Sequence, residues 1–495
     1  MNLVKGLMLG TAATFVATAG AQAADLPLKA KAVEYVKVCS LYGAGFYYIP
    51  GTDTCIKLGG YLRAEVGFNT AGATETPAWS GAAGQQNRLQ NQAQFRARQD
   101  ITLDTRTATE YGVVRTYFDS VFTWTTGSDT IAGGNLGVYF AFVQFAGFTF
   151  GKAVSVFSTP WNGSPGNIGS NLLGGDDTST GVNQVSYTAE FGNGVSASLS
   201  VEDPYAYRQA YGVSNVFNVT GLGTSGSTAA SWLAGAGPGG NYTAGTQIPD
   251  IVGRVRVDQA WGLFQVSAAA HQIRASYYNF ADETTGHPGD KYGYAVLAAL
   301  SLKNLPTGPG DTINLDGTYA DGAIRYVMSG TGAINSMSMY GDTSVPGAYQ
   351  SLALGTSPDG VFTTGGGIQT TKAWGIRGAF NHNWTPNWST SVFGAYTSVD
   401  FGGTGGALYT AGLRSAVGGT FTGTPNFKIA QIGTVTRWTP VKNLTFSGEV
   451  MYTKLDQDYS GLTGSVKPTA TKPTGIYEFK DQDTWTGAVR VQRNF

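Results

Sequence analysis

The chain has 495 residues, and its 31 Lys and Arg nearly balance its 32 Asp and Glu, which leaves a formal net charge of −1. Such a balance gives no indication of a nucleic-acid partner. Only 13% of the residues are charged, against about 25% in an average globular protein. The chain also contains 71 Gly, 26 Tyr, 25 Phe and 10 Trp. Few charges combined with many glycines and aromatic residues are typical of a membrane β-barrel with aromatic rims and long outer loops.

Residues 1–23 predict a secretory signal peptide. Lys5 supplies a positive charge, residues 7–16 form a short apolar core, and Ala21-Gln22-Ala23 matches the small-x-small cleavage pattern. An N-terminal anchor helix is the alternative, but the segment is short and lacks a stop-transfer pattern. No later apolar run reaches the length of a transmembrane helix. We therefore expect an exported chain that begins, after cleavage, at residue 24.

Residues 24–55 form a separate N-terminal segment that contains both cysteines, Cys39 and Cys55. An exported protein meets an oxidising compartment, so a disulfide between them is expected. Closing a loop this short contributes about 3 kcal/mol to stability. A pair of free thiols is the alternative.

Residues 56–68 show the clearest alternation in the chain. The even positions, from Ile56 to Phe68, are apolar or small, while Lys57, Arg63 and Glu65 occupy odd positions. Successive side chains of a strand point to opposite faces, so this strand has an apolar face and a charged face along its whole length. A strand with lipid on one side and water on the other requires this pattern. We interpret residues 56–495 as an all-β, transmembrane antiparallel β-barrel that begins here.

The next two strands are predicted at 91–106 and 111–124, joined by a tight turn at 107–110. Arg96 and Arg98 share the polar face of the earlier strand, and Arg115 and Asp119 share that of the later one. Pairing residue 106 with residue 111 would set Arg98 opposite Asp119. The polar faces of the two strands then coincide, as a hairpin in a two-sided sheet requires.

The same alternation predicts about sixteen strands in all, and their connections alternate between short and long. Short periplasmic turns and long outer loops are typical of outer-membrane barrels. The strands near 136–146 and 148–156 are apolar on both faces, which suggests burial against another subunit or an inward-folded loop. The remaining strands are predicted near 184–191, 195–202, 250–260, 263–274, 292–302, 311–326, 371–381, 388–396, 427–438, 444–453 and 484–495.

The last strand ends at an aromatic residue, Phe495, and can close the barrel against the first strand. Closure leaves no open sheet edge in the membrane. Arg493 falls on the outer face of this strand, where a charge costs about 2–4 kcal/mol at mid-bilayer but little near the rim. We therefore expect Arg493 to lie at the rim.

Three segments carry a family resemblance: CSLYGAGFYYIPGTDTCIKLGGYLR, FRARQDITLDTRTATEYGVVRTYF and the terminal VRVQRNF. They resemble the porins of alphaproteobacteria such as Rhizobiales, and the resemblance extends over essentially the whole mature chain. It implies a sixteen-stranded, homotrimeric diffusion porin of the outer membrane, in contact with membrane lipid and lipopolysaccharide. It also implies a third loop, about 157–182, that folds into the lumen.

A barrel of sixteen strands is wide enough to hold an aqueous channel, and charged rings set the ion preference of such pores. Four arginines from three adjacent strands would line one wall, and two carboxylates in the third loop could face them across a constriction. In the alternative reading, the arginines only pair with Glu65, Asp100, Asp104 and Asp119 on neighbouring strands. The candidate pore-lining residues are Arg63, Arg96, Arg98, Arg115, Asp176 and Asp177.

Catalytic, cofactor and metal sites are not expected. His271, His287 and His382 are far apart and lack the spacing of a metal site, so we expect solvated or lumen-facing imidazoles. Residues 221–226 match a dinucleotide fingerprint in letters only, because no helix pattern follows. Residues 456–467 begin like a calcium loop but have Lys467 at position twelve.

The sequence therefore favours a water-filled channel for passive diffusion of small hydrophilic solutes and ions. A barrel enzyme, such as an outer-membrane protease or lipase, and an exported glycine-rich adhesin without a pore remain as alternatives.

Overall fold

The computed structural model describes residues 37–70, 77–127, 134–161, 164–169, 172–175, 181–207, 215–220, 228–235, 237–238, 242–328 and 336–495. The chain divides into two units, residues 1–56 and 57–495. Each unit is described by itself below.

The described part of the first unit is a short folded segment held together by a disulfide. A 3-10 helix spans Ser40–Tyr42, and the short strand Tyr47–Tyr48 pairs antiparallel with residues 55 and 56. Cys39 and Cys55 are joined, which confirms the predicted disulfide. Both half-cystines are buried with Phe46 in a small apolar cluster. The disulfide thus replaces the larger core that so short a segment cannot form.

The second unit is built on sixteen antiparallel strands. Each strand pairs with the next, and the last pairs with the first, so the sheet closes into a barrel as predicted. The strands are β1 Thr54–Phe68, β2 Ala93–Thr109, β3 Gly112–Thr125, β4 Asn135–Phe145, β5 Phe148–Ala153, β6 Val182–Gly192, β7 Val195–Glu202, β8 Asp250–Gln259, β9 Gly262–Ile273, β10 Lys291–Lys303, β11 Thr312–Asp321, β12 Lys372–Thr385, β13 Trp388–Asp400, β14 Phe427–Val441, β15 Leu444–Gln457 and β16 Gln482–Asn494.

The two faces of the barrel differ as the alternation predicts. Outward residues such as Leu62, Ile376 and Val450 are apolar and about half exposed. Their neighbours in sequence point inward and include buried charged residues such as Arg377 and Glu449. Aromatic residues gather on the outside near the short turns, as expected at a membrane interface. These exposed aromatic residues are Tyr111, Phe191, Trp261, Trp384, Trp388, Trp438 and Phe495.

Closure at the two ends of the chain follows the expected geometry. β16 pairs with β1 from Tyr61–Asn494 to Phe68–Gly487, and Phe495 donates its backbone N–H to the carbonyl of Gly60. Arg493 is exposed on the outer face, one residue from the end of its strand, where it donates to the carbonyl of Lys442. Its charge therefore lies at the rim, where water is within reach.

The connections alternate in length around the barrel. Six of the seven short ones contain two residues: 110–111, 146–147, 193–194, 260–261, 386–387 and 442–443; the seventh is 304–311. In the turn between β6 and β7, Asn193 and Gly194 have φ of 49° and 72°. Positive φ at both positions is the requirement of a type I′ hairpin turn, which matches the twist of the strands.

The predicted register of the β2–β3 hairpin is wrong by four positions. Thr109 pairs with Gly112, which places Arg98 opposite Thr123 and Arg106 opposite Arg115. The strands run further than the alternation of charges indicated, because the turn consists of residues 110 and 111 only. The difference is an even number, so the polar faces still coincide, as the pleat demands.

The long connections are more ordered than the sequence predicted. Strands Ser336–Gly341, Ala348–Thr356, Ile476–Phe479 and Gly461–Leu462 form a four-stranded sheet, and Val216–Asn218, Gly360–Phe362 and Gln369–Thr370 form a three-stranded one. Helices α1 Gly81–Gly84, α2 Ala229–Leu233 and α3 Gly403–Val417 lie among them. Single 3-10 turns occupy Pro204–Tyr207, Glu283–Thr285 and Ile324–Tyr326.

Helix α3 lies where the sequence predicts only a long loop. Its buried residues Tyr409, Leu413 and Val417 are spaced four apart and form one apolar stripe. Tyr409 packs edge-on against Trp232 of α2, with ring centroids 4.9 Å apart. Glycine is a poor helix former, so the glycine-rich helix depends on this packing. Within the described residues, no helix combines the length and the apolar character that crossing a membrane would need.

Candidate functional site

All four predicted arginines lie on the inward face of β1 to β3, but their surroundings differ. Arg63 comes from β1, Arg96 and Arg98 from β2, and Arg115 from β3. Two of them form ion pairs with carboxylates, and among the described residues the other two do not. This division decides which charges a solute in the lumen can reach.

Arg96 belongs to a buried triad around Glu65. Arg96 donates to Oε1 of this carboxylate, while Nε and Nη2 of Arg490 each lie 2.8 Å from Oε2. The three residues are 4–6% exposed. Buried charges of this kind require partners. Arg96 therefore mainly stabilises the barrel wall through its ion pair with Glu65. The sequence analysis did not single out Arg490, although it lies between Val489 and Val491 and so alternates inward.

Arg115 is also neutralised. Its Nη2 lies 3.0 Å from Oδ2 of Asp104, and Arg106 approaches the same carboxylate at 3.0 Å. Gln144 on β4 accepts a further hydrogen bond from Arg115 at 2.8 Å. The alternative reading, in which the arginines pair with carboxylates of neighbouring strands, therefore applies to Arg96 and Arg115.

Arg63 and Arg98 have neutral partners. Nε of Arg63 donates to Gln492 at 2.9 Å, and Nε of Arg98 donates to Thr123 at 3.2 Å. The Arg63 guanidinium lies 4.5 Å from the centroid of the Tyr61 ring. In the described part of the chain, no carboxylate oxygen lies within 4.0 Å of either guanidinium. Both side chains are partly exposed. Asp100 interacts electrostatically with both charges, and Glu65 with that of Arg63, without forming an ion pair with them.

The segment between β5 and β6 is bound to the inward side chains of seven strands. Its described residues between 155 and 175 exchange hydrogen bonds with polar groups of β7, β9, β11, β12, β14, β15 and β16. Asp176 and Asp177, the predicted acidic side of the constriction, lie outside the described residues. The barrel side chains contacted by the segment are Glu202, Gln265, Asn314, Asp316, Arg377, Asn381, Gln431, Arg437, Glu449 and Arg490.

The firmest anchor of this segment is the pair Asp316–Arg377, whose side chains are completely buried at a separation of 2.9 Å. Trp161 donates its indole N–H to Asp316 at 3.1 Å, and Arg377 donates to the carbonyl of Gly175 at 3.1 Å. A Cβ atom at Gly175 would lie 2.7 Å from Oδ1 of Asp316. The backbone therefore approaches the pair as closely as glycine alone permits.

The histidines lie on the predicted elements, two on strands and one in a connection, but His271 is more buried than the sequence indicated. His271 is 1% exposed, and its Nδ1 lies 2.7 Å from Oδ1 of Asp250. The hydroxyl of Tyr326 donates to the other oxygen of Asp250 at 2.7 Å, and Asp359 lies 3.7 Å from Nε2 of His271. The sequence predicted a solvated or lumen-facing imidazole, and His271 faces inward from β9. It is buried there because Tyr326 and Asp359 of the long connections pack against it.

His382 lies at the opposite end of the barrel, beside a short connection. Its Nδ1 is 2.7 Å from Oδ2 of Asp311. A hydrogen bond from Thr307, together with those from the Asn383 backbone and His382, lowers the pKa of Asp311 to about 2. In the described residues, no group of three or more His, Cys, Asp or Glu residues could hold a metal ion.

Comparisons with known proteins agree with the architecture. Porin Omp2b of Brucella suis biovar 1 (strain 1330) is 31% identical over 271 residues, which are 52% of this chain and 63% of that protein. Porin Omp2b of Brucella abortus (strain 2308) matches over the same extent at the same identity. The chain thus spans less than two thirds of the length of these relatives.

A solved structure extends the comparison to the fold. The outer membrane channel DcaP of Acinetobacter baumannii superposes with a TM-score of 0.59 and 16% identity, over 90% of this chain and 99% of that one. At this identity the likeness concerns the fold alone. Residues 25–488 match the family model described as the porin subfamily. The family match covers most of the chain, and the protein therefore belongs to the porin subfamily.

Proposed function

We propose that this protein is an outer-membrane channel for the passive diffusion of small hydrophilic solutes and ions. The observation that carries the proposal is the closed sixteen-stranded barrel with an apolar outer face and a polar, charged inner face. Sixteen strands enclose more space than their own side chains fill. Together with membership of the porin subfamily, this supports a water-filled bore rather than an enzyme site or an adhesive surface.

The segment between β5 and β6 narrows this bore. Its hydrogen bonds attach it to inward side chains of β7 to β16, which leaves the wall formed by β1 to β4 as the opposite side of the passage. Arg63, Arg96, Arg98 and Arg115 line that wall in this proposal. Asp176 and Asp177, which follow directly after the anchored residue Gly175, are proposed to supply the acidic side. Opposed charges across the passage order water and disfavour apolar solutes.

Two measurements on purified protein test the channel. In a planar bilayer, we expect stepwise increases in conductance as single proteins insert. In liposomes, we expect swelling with neutral sugars, at rates that fall as sugar size increases. A protein that inserts as a folded barrel but gives neither conductance nor swelling would refute the channel and leave the adhesin as the better reading.

We also propose that the channel assembles as a homotrimer. β5 has only six residues, so it extends about 20 Å before any tilt, less than the apolar band of about 25 Å that a barrel presents to lipid. Its outward Phe148 and Phe150 are 41% and 45% exposed. Covering this short wall with a neighbouring subunit would shield it from lipid headgroups. Native mass spectrometry in detergent tests the proposal, and a monomer without any trimer contradicts it.

Export and membrane contacts complete the proposal. Cleavage after Ala23 would release a mature chain of which residues 24–55 precede the barrel. The exposed aromatic residues near the short turns would contact membrane lipid, and the long connections would contact lipopolysaccharide. N-terminal sequencing of the protein from an isolated outer-membrane fraction should begin at residue 24. A first residue of Met1 would contradict cleavage.

A further inference from the structure

We infer that Arg63 and Arg98 form an oxyanion subsite in the wall of the lumen, one that accepts the carboxylate of a small organic acid or inorganic phosphate. The inference rests on the proposed channel function and adds a solute class to it. It depends on which arginines are available, on their arrangement and on the cavity beside them.

The two guanidinium groups are neighbours across the β1–β2 pair. Glu65 is ion-paired with Arg96, and Gln99 on β2 donates to the carbonyl of Tyr61 at 3.2 Å. This antiparallel register sets Arg63 beside Arg98. Like charges directly opposite each other destabilise a sheet. An anion bound between the two arginines would turn this repulsion into two attractive contacts.

Within the described residues, no protein carboxylate lies at ion-pair distance from either of the two guanidinium groups. Arg96, Arg490, Arg106 and Arg115 share the carboxylates of Glu65 and Asp104. Asp100 lies one inward position further toward the short turns and is 5% exposed. Among the described residues, it makes no ion pair with Arg63 or Arg98, although it interacts electrostatically with both. The four paired arginines are therefore part of the wall, and the other two remain to bind a solute.

An aromatic ring lies near each of the two guanidinium groups. Arg63 lies over Tyr61 at 4.5 Å, and Arg98 lies over Tyr139 at 6.0 Å. A cation–π contact orients a guanidinium without removing its charge. The N–H groups at the edge of the plane remain able to bind two oxygens of one carboxylate or phosphate, the geometry for which arginine is suited.

A cavity beside Arg98 supplies space on one side of the pair, and Arg63 is not among its lining residues. Its volume is about 380 Å³, within the range of small-molecule sites. Arg96, Thr123, Asn135 and Tyr139 contribute to the lining, and no carboxylate of the described residues does. The hydroxyl and amide groups of this lining can therefore form further hydrogen bonds to an oxyanion that the arginines attract.

The test compares two double variants of the full chain in planar bilayers. Arg63→Gln with Arg98→Gln removes the subsite. Arg106→Gln with Arg256→Gln is the control, because it removes the same charge from arginines that are paired with Asp104 and Asp258. Reversal potentials are measured across gradients of potassium acetate, potassium phosphate and potassium chloride. Each potential reports the permeability of the anion relative to potassium.

We expect the subsite variant to lose about tenfold in relative permeability to acetate, phosphate or both, the factor that corresponds to about 1.4 kcal/mol. The control should change by less than about twofold on the same scale. A loss for acetate alone identifies a carboxylate site, and a loss for phosphate alone identifies a phosphate site. Equal losses in chloride, or equal losses in the control, refute the subsite and leave only the general charge of the lumen.

Glucose entry into liposomes separates the two levels of the proposal. If glucose enters the liposomes and the subsite variant keeps the anion selectivity of the unmodified protein, the subsite is refuted and the channel is not. Absence of both current and glucose entry refutes the channel and the subsite with it. If the double variant fails to fold, as judged by its migration in a heat-modifiability gel, the single Arg98→Gln variant is expected to show a smaller loss in the same direction.

Discussion

Replacing Glu65 with glutamine should destabilise the barrel strongly. Glu65 is a carboxylate shared by Arg96 and Arg490, and all three residues are at most 6% exposed. The neutral amide would keep the shape of the side chain but remove the carboxylate charge that both buried guanidinium groups contact. Removing one partner of a buried ion pair costs about 3–5 kcal/mol. Nη1 of Arg490 also donates to the carbonyl of Ile168 at 2.6 Å, so the inner segment should loosen as well.

The assay is urea unfolding of the protein in lipid vesicles, followed by tryptophan fluorescence. Asp258→Asn is the matched control, because it removes the carboxylate of an ion pair whose Arg and Asp side chains are 29% and 42% exposed. An exposed pair contributes about 0–1 kcal/mol. The reasoning about burial is wrong if Glu65→Gln lowers the free energy of unfolding by no more than the control does.

Three further predictions concern the turns and the N-terminal unit. Gly194→Ala should reduce the refolding yield far more than Gly192→Ala. Both glycines have positive φ, but a Cβ at Gly194 would lie 1.9 Å from a carbonyl oxygen, whereas a Cβ at Gly192 would have no atom within 4 Å. Equal yields would contradict this. Asp311 has a pKa below its unfolded value of about 3.9, so its ionised form stabilises the fold above that pH and this contribution disappears as the pH falls toward 2. Asp311→Asn should therefore lower the melting temperature at pH 7 and have little effect near pH 2, and a pH-independent difference would count against the assignment. Replacing Cys39 and Cys55 with Ser should remove about 3 kcal/mol of stabilisation and speed proteolysis between residues 37 and 56, with conductance unchanged.

Much of the barrel could be predicted from local pattern. A strand between lipid and water must alternate, so residues 56–68 revealed their two faces without any knowledge of their neighbours. The turn at Asn193-Gly194 could be placed because a two-residue hairpin requires residues that tolerate positive φ. Inward placement of the arginines followed from the same alternation, and so would that of Arg490.

Pairing could not be predicted in the same way. The register of β2 and β3 depends on where the turn falls, and a shift by four positions leaves both faces unchanged. Sequence alternation therefore cannot distinguish Arg98 opposite Asp119 from Arg98 opposite Thr123. The structure makes that distinction, and with it decides that Arg98 has no carboxylate partner among the described residues.

The sequence alone determined the class of fold, the number of strands and the sides on which charges lie, because these depend on contacts between each strand and its solvent. Only the tertiary structure decided which charges neutralise each other, why His271 is buried, and that a glycine-rich stretch becomes helix α3. These features depend on contacts between residues that are distant in the chain. The free energy of each feature is set by burial in these long-range contacts rather than by the local propensity of the sequence.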